Sequence, residues 1–217
     1  MTKKATTTKA AEPAVKDIAV SLNLKTITIP IEGIAPLIVS RFDEKSKRQI
    51  EEIGKAESGL KQGGKKKNIS SPEEDYEKSL YRLSDGKGYG LPAVCFKAAM
   101  VSAAYRVYGL PQTTTRVCFR VIADDPETGL VKLNGEPRMR EDMVRVGGIS
   151  KVASPRYRAE FPVWSANITI QFLEDKFTEK DIVGLLNAAG FTGGVGEWRP
   201  EKSNSGSFGL FRVASSM

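Results

Sequence analysis

A chain of 217 residues with 40% hydrophobic side chains is long enough to bury a core of its own, and 33 Lys+Arg against 26 Asp+Glu leave a net charge of +7 that permits polyanion binding without requiring it. The complete lack of histidine excludes Ser-His-Asp and Cys-His nucleophiles and histidine-held metals. The two cysteines, Cys95 and Cys118, stand in the apolar triplets Val94-Cys95-Phe96 and Val117-Cys118-Phe119, which suit small packed thiols rather than a disulfide framework.

Residues 1–22 lack aromatics and regular hydrophobic spacing, so a disordered basic tail is expected there, with one domain over 23–217. The tail has no apolar core of a secretory signal, and no apolar run approaches the ~18 residues of a membrane span. A cytoplasmic protein without a membrane partner is expected. Leu24 to Ile31 alternates apolar and polar residues as a half-buried strand, ended by Gly33 and Pro36. Asp43 caps an expected helix over 44–53, and the stretch to Ser71, with Gly63-Gly64 and Lys65-Lys66-Lys67, reads as an exposed loop. Ser71-Pro72-Glu73-Glu74 is a helix start, with a helix expected to about Tyr81. After the turn Asp85-Gly86-Lys87-Gly88 an apolar, alanine-rich helix is expected from Ala93 to Tyr105. Arg116–Ile122 reads as a central strand and Leu130–Leu133 as a short one. Insertions into the domain fall at about 42–88 and 134–160.

The second insertion carries six cations, Arg138, Arg140, Arg145, Lys151, Arg156 and Arg158, against the acids Glu136, Glu141, Asp142 and Glu160. Gly147-Gly148 between two apolar flanks points to a projecting β-hairpin. A long strand is expected over Phe161–Phe172, then a helix opened by Thr178-Glu179-Lys180-Asp181 and stopped at Gly190. A final strand is expected over Ser207–Val213. Without the insertions the order is strand, helix, strand, strand, helix, strand. The expected fold class is therefore α+β, a ferredoxin-like (RRM-like) antiparallel sheet with helices on one face and the other face open.

Gly193-Gly194-Val195-Gly196 follows a helix rather than a strand, so it is not a dinucleotide fingerprint, and no triphosphate loop motif occurs. It is expected as a flexible loop with free backbone N–H groups, one aromatic (Trp198) and two cations (Arg199, Lys202), a composition suited to phosphate contacts with base stacking. A connection whose glycines only make turns is the plain alternative. Lys97 and Arg106 lie on the alanine-rich helix, Lys97 near the N-terminus where an anion would also be welcome; a solvated helix face is the alternative. Arg41 is counted with this basic set. The paired carboxylates Asp124-Asp125, Glu73-Glu74 and Glu141-Asp142 do not converge as metal-assisted hydrolysis needs, so no catalytic residue, metal or cofactor is expected.

Gly90-Leu91-Pro92-Ala93 with Phe96-Lys97-Ala98-Ala99-Met100 resembles the first-helix segment of the RAMP superfamily, the repeat-associated proteins of CRISPR effector complexes. Gly193 to Gly209, with Ser207-Phe208-Gly209 before the last strand, is similar to that family's glycine-rich C-terminal loop, and Ile31–Leu37 to the first strand and loop of its backbone subunits. The family has glycine after the lysine where this chain has Ala98. The resemblance implies a ferredoxin-like palm, a thumb hairpin over 138–158 and head-to-tail assembly along a strand. It implies backbone contacts at Lys97, Arg199 and Lys202, and a thumb tip of Met143, Val144 and Ile149 wedged between bases. The function so implied is sequence-independent binding of single-stranded RNA or DNA as a head-to-tail homo-oligomer, with further complex subunits as partners. The setting is a CRISPR-like complex or a phage nucleoprotein, in a prokaryotic cell or phage-infected host. A structural protein, such as a virion component that oligomerises without nucleic acid, is the alternative.

Overall fold

The computed structural model describes residues 22–41, 71–146 and 152–214. The basic tail, the helix expected over 44–53 and nearly all of the lysine-rich loop lie outside the described residues. In chain order the described elements are strands β1 (Leu24–Gly33) and β2 (Leu37–Val39), helix α1 (Pro72–Ser79), strand β3 (Tyr89–Pro92), and helices α2 (Ala93–Tyr108) and α3 (Gln112–Cys118). They continue with strands β4 (Phe119–Ile122), β5 (Leu130–Asn134), β6 (Arg138–Val146), β7 (Val152–Phe161) and β8 (Ser165–Leu173), helix α4 (Glu179–Thr192) and strand β9 (Phe211–Val213).

The alternation in β1 buries Ile29 and Ile31 and leaves Thr26, Thr28 and Pro30 exposed. This strand pairs antiparallel with β8 along its length, from Leu24 opposite Leu173 to Glu32 opposite Ser165. β9 flanks the far side of β1, while β4 and β5 divide the other edge of β8 between them. The main sheet thus carries neighbours in the order β9-β1-β8-β4, with β5 and β3 extending its edge.

The covered face meets α2 and α4. Phe96, Ala99, Met100 and Ala103 of α2 and Ile182, Leu185, Leu186 and Ala189 of α4 share one core with Ile29, Ile31, Ile168, Ile170 and Phe172. Full burial of a large aliphatic or aromatic side chain contributes ~1.5–3 kcal/mol, so this layer dominates the stability. The opposite face is polar and bonded to itself. Thr28 and Thr169 hydroxyls meet at 3.0 Å, the Gln171 amide donates to Thr26 at 3.3 Å, and Arg120 donates to Gln171.

A second sheet, β2-β7-β6, is built on the hairpin. β2 pairs only with Ala159–Phe161, so the rest of β7 and β6 continues as a two-stranded ribbon to Val146 opposite Val152. Residues 147–151 lie outside the described residues. Helix α1 packs on β7, and the Ser79 hydroxyl accepts from the Ala159 N–H at 2.8 Å. Its start is the expected one: the Ser71 side chain accepts from the Glu74 N–H, with Pro72 in the first turn. It ends two residues earlier than expected, at Ser79.

Five expectations need correction. Arg116–Cys118 is helical, not extended, because Pro111 opens a short helix in which the Thr115 hydroxyl donates to the Pro111 carbonyl at 2.9 Å. The strand expected over Phe161–Phe172 breaks at Pro162–Trp164, where the chain leaves the hairpin sheet for the main one. There the Trp164 carbonyl accepts from the Gly33 N–H and its indole donates to Ala35. Gly190 does not stop α4, which runs to Thr192; a Cβ at Gly190 would overlap the Phe211 carbonyl, so the glycine permits close packing. The alanine-rich helix continues past Tyr105 to Tyr108, closed by Gly109 in a left-handed cap at φ 68°. Only Phe211–Val213 of the expected final strand is extended in the sheet.

Candidate nucleic-acid interface

The 193–209 segment is the hinge of the site. It was expected as a flexible loop with free N–H groups, and the structure corrects this. Val195 donates to Gly209, Glu197 to Ile38 and Gly209 to Pro36, each at 2.8–3.0 Å, so the loop is sewn to itself and to β2. Two positive-φ glycines are required for this, since a Cβ at Gly196 would press on the Ile38 carbonyl and one at Gly209 would overlap the Val195 carbonyl. Trp198 itself adopts φ 50°, a left-handed conformation that costs ~1–2 kcal/mol in a non-glycine residue. That backbone sends Trp198 and Arg199 to two different neighbourhoods.

Trp198 meets the root of the hairpin. The Arg158 guanidinium lies 4.6 Å from its ring centroid and that of Arg140 5.7 Å, with Arg140 also 4.9 Å from Phe208. Both arginines are held by acids. Arg140 Nε donates to both Asp142 oxygens at 2.9 and 3.0 Å, Arg140 Nη1 to Glu160 at 2.8 Å, and Arg158 Nη2 to Asp142 at 3.0 Å. Arg138 completes the set by donating to Glu160 at 2.7 Å. Burial pushes the Glu160 carboxyl up, but hydrogen bonds from Arg138 and Arg140 outweigh it and hold the group below the usual carboxylate range. Arg140 thus commits two nitrogens to acids inside the molecule and Arg138 and Arg158 one each, while the Arg158 Nε is buried without a hydrogen-bond partner. Arg156, opposite Asp142 in register, is exposed.

Arg199 turns the other way. Its Nη1 donates to the Gly196 carbonyl at 2.7 Å, and its Nε lies 3.4 Å from Glu201. Glu201 in turn stands 3.9 Å from Arg106 of α2. Burial pushes the Cys95 thiol up, while Arg199 and Lys202 pull it down, which places both cations within electrostatic reach of the first turn of α2. Burial, Cys95 and Glu197 raise the Tyr81 hydroxyl, and Arg41 lowers it. Helix α2 opens at Pro92 with no side-chain cap and no acid in its first turn. Between α2 and α3 runs a groove of about 600 Å³ bordered by Lys97, Arg106, Arg116 and Glu201. Three cations against one acid make it a surface for anions.

The structure aligns with the crystal structure of Cmr6 from Pyrococcus furiosus over 89% of this chain and 100% of that one, at 11% identity and a TM-score of 0.42. It aligns with a chain of the type III-B Cmr-beta complex bound to cognate target RNA over 89% of this chain and 60% of that one, at 9% identity and a TM-score of 0.49. No family model and no curated protein matches its sequence.

The sequence-expected residues thus fall into two groups. Lys97 in the second turn of α2, Arg106 in its last turn, and Arg199 and Lys202 of the loop make the first, while Arg41, whose N–H donates to the Ser79 carbonyl, stands at the end of α1. Arg138, Arg140, Arg158 and Trp198 form the hairpin root. Met143 is 65% exposed toward the hairpin end and Val144 is half-buried. As adjacent strand residues they point to opposite faces of the ribbon. Ile149, Lys151 and the side chain of Arg145 lie outside what is described. Sequence reasoning missed Arg116, Gln112 and Glu201 at the groove, and Phe208, Asp142 and Glu160 at the root. Gly109-Leu110-Pro111 was the available signal for the first two: a glycine cap followed by a proline start reads as one helix ending and another beginning. Among the described residues no cluster of three or more His, Cys, Asp or Glu could hold a metal, and no helix is long and apolar enough to cross a membrane.

Proposed function

We propose that this protein binds single-stranded nucleic acid through its backbone, without reading sequence, and that it acts as a binding protein rather than a catalyst. The observation that carries the proposal is the α2–α3 groove, bordered by Lys97, Arg106 and Arg116 against the one acid Glu201. Phosphates neutralised there would release condensed counterions, which supplies affinity without base contacts. The strand order β9-β1-β8-β4 with α2 and α4 on one face supports reading the fold as ferredoxin-like with a hairpin thumb. Its open face differs from an RNA-recognition module, because Thr26, Thr28, Asn167, Thr169, Gln171 and Arg120 offer no ring for stacking. The strand is therefore assigned to the helix and loop side.

RNA is the ligand named for the Cmr-beta assembly, so a uniform single-stranded RNA is the first probe and single-stranded DNA of the same length the second. The test is a titration of each fluorescent oligonucleotide at several salt concentrations. Expected is an affinity that falls with salt at a slope of about −0.7 per phosphate contacted, on a ladder of lengths that reveals added copies in a head-to-tail array. No binding at ~50 mM salt would end the proposal. A second reading, assembly through protein contacts alone, is favoured by the exposed Tyr105, Tyr108 and Phe191 on the two core helices. It expects oligomers whose size ignores salt and added strand, and an absorbance ratio at 260 and 280 nm free of nucleic acid.

A further inference from the structure

The α2–α3 groove is not only basic. Val94 and Val117, 70% and 71% exposed, stand on its border, and Ala98 and Val101 line it between them. A lone exposed valine is ordinary, but here four aliphatic side chains line one groove whose cations are Lys97, Arg106 and Arg116. Its volume of about 600 Å³ lies inside the ~300–1,000 Å³ range of small-molecule seats. Backbone binding explains the cations and leaves the aliphatic wall without a task.

We infer that this groove seats one nucleobase of the bound strand, with its phosphates at Lys97, Arg106 and Arg116. The inference rests on the strand-binding reading and assigns its contact. A nucleotide joins a flat, largely apolar ring to an anion, and the groove offers the complementary pair of surfaces side by side. The polar groups at hand do not choose among bases. The Ser102 hydroxyl can rotate to donate or accept, and the Gln112 amide carries both functions, so either can meet any base edge. The seat takes a base without asking which one.

The experiment compares a uniform ~30-nucleotide RNA with an abasic strand of the same phosphate count, at fixed low salt. The wild-type chain is expected to bind the base-bearing strand about three- to tenfold more tightly, the effect of covering some tens of Å² of apolar surface. The double variant Val94→Ser/Val117→Ser, at two largely exposed positions, is expected to lose that preference while keeping the abasic affinity and the salt slope. Equal binding of both strands by the wild type overturns the inference and leaves backbone binding standing, as does a preference that survives in the double variant. Binding of neither strand removes the strand-binding reading itself.

Discussion

Arg140 and Arg158 stand directly opposite each other across β6 and β7, and both guanidiniums lie over the ring of Trp198. Like charges facing across a strand pair repel, so the arrangement depends on the acids beneath it. Asp142, 8% exposed, bonds both arginines, and Glu160, 2% exposed, bonds Arg140 and Arg138. Arg158→Ala removes one bond to Asp142 and the packing on Trp198 but leaves Asp142 bonded to Arg140 through both oxygens, so it is expected to lower the unfolding free energy by about 1–2 kcal/mol. Adding Asp142→Asn is expected to cost less than the sum of the two single changes, and urea unfolding of all four proteins measures the coupling.

Acid lability follows from carboxylates held below their ordinary range. Hydrogen bonds from the Ser84 N–H, the Thr128 hydroxyl and the Glu127 N–H bring Asp125 down to about 2, and Glu160 and Asp181 are lowered too. A group with a depressed folded pKa contributes fully above its unfolded value near ~4 and loses that contribution as pH falls through the folded value. Stability is expected to be flat with respect to these groups down to about pH 5 and to fall between about pH 4 and 2. Asp125→Asn should lower stability at pH 7 and flatten the acid limb, read by thermal unfolding across that range.

Gly86 and Gly209 have nearly the same positive φ, 69° and 66°, in different surroundings. Nothing lies within 4 Å of a Cβ placed at Gly86, whereas one at Gly209 would overlap the Val195 carbonyl. Gly86→Ala is expected to cost about 1–2 kcal/mol, the left-handed penalty alone. Gly209→Ala is expected to cost about 3–5 kcal/mol and to loosen the loop under Trp198, seen as raised amide exchange at Val195 and Glu197.

Glu201 is the acid that competes with a strand for Arg106 and Arg199. Glu201→Gln is expected to tighten oligonucleotide binding about two- to fivefold at ~50 mM salt, with the gain shrinking as salt screens the groove. Arg116→Ala is expected to act oppositely and to lower the salt slope by about 0.7. Titrations of the two variants beside the wild type check both signs.

Where periodicity and caps act locally, the fold was legible in the sequence: β1, the Ser71 start of α1, the Thr178–Asp181 capping box of α4 and the extended first flank of the hairpin, Met143–Val146, stand as read. What escaped was decided by contacts distant in the chain. Val117, Phe119 and Val121 alternate like a strand, yet Pro111 winds the first part into a helix and leaves Val117 in solvent. Gly190 has the look of a helix stop, but its role is set by Phe211 on another strand. At the site, a count of arginines could not separate Arg106, which borders an open groove, from Arg158, which is sunk against Trp198. The distinction lies in Asp142 and Glu160, whose burial appears only once β6, β7 and the 193–209 loop come together.

The joint of Arg140, Arg158 and Trp198 sits near the base of the ribbon, and Val146 lies six residues further along β6. At ~3.3 Å per residue that is an arm of roughly 20 Å. Two guanidiniums on one indole therefore tie both strands of that arm, at its base, to the 193–209 loop, so a change in the loop is felt first where the arm leaves the body of the protein.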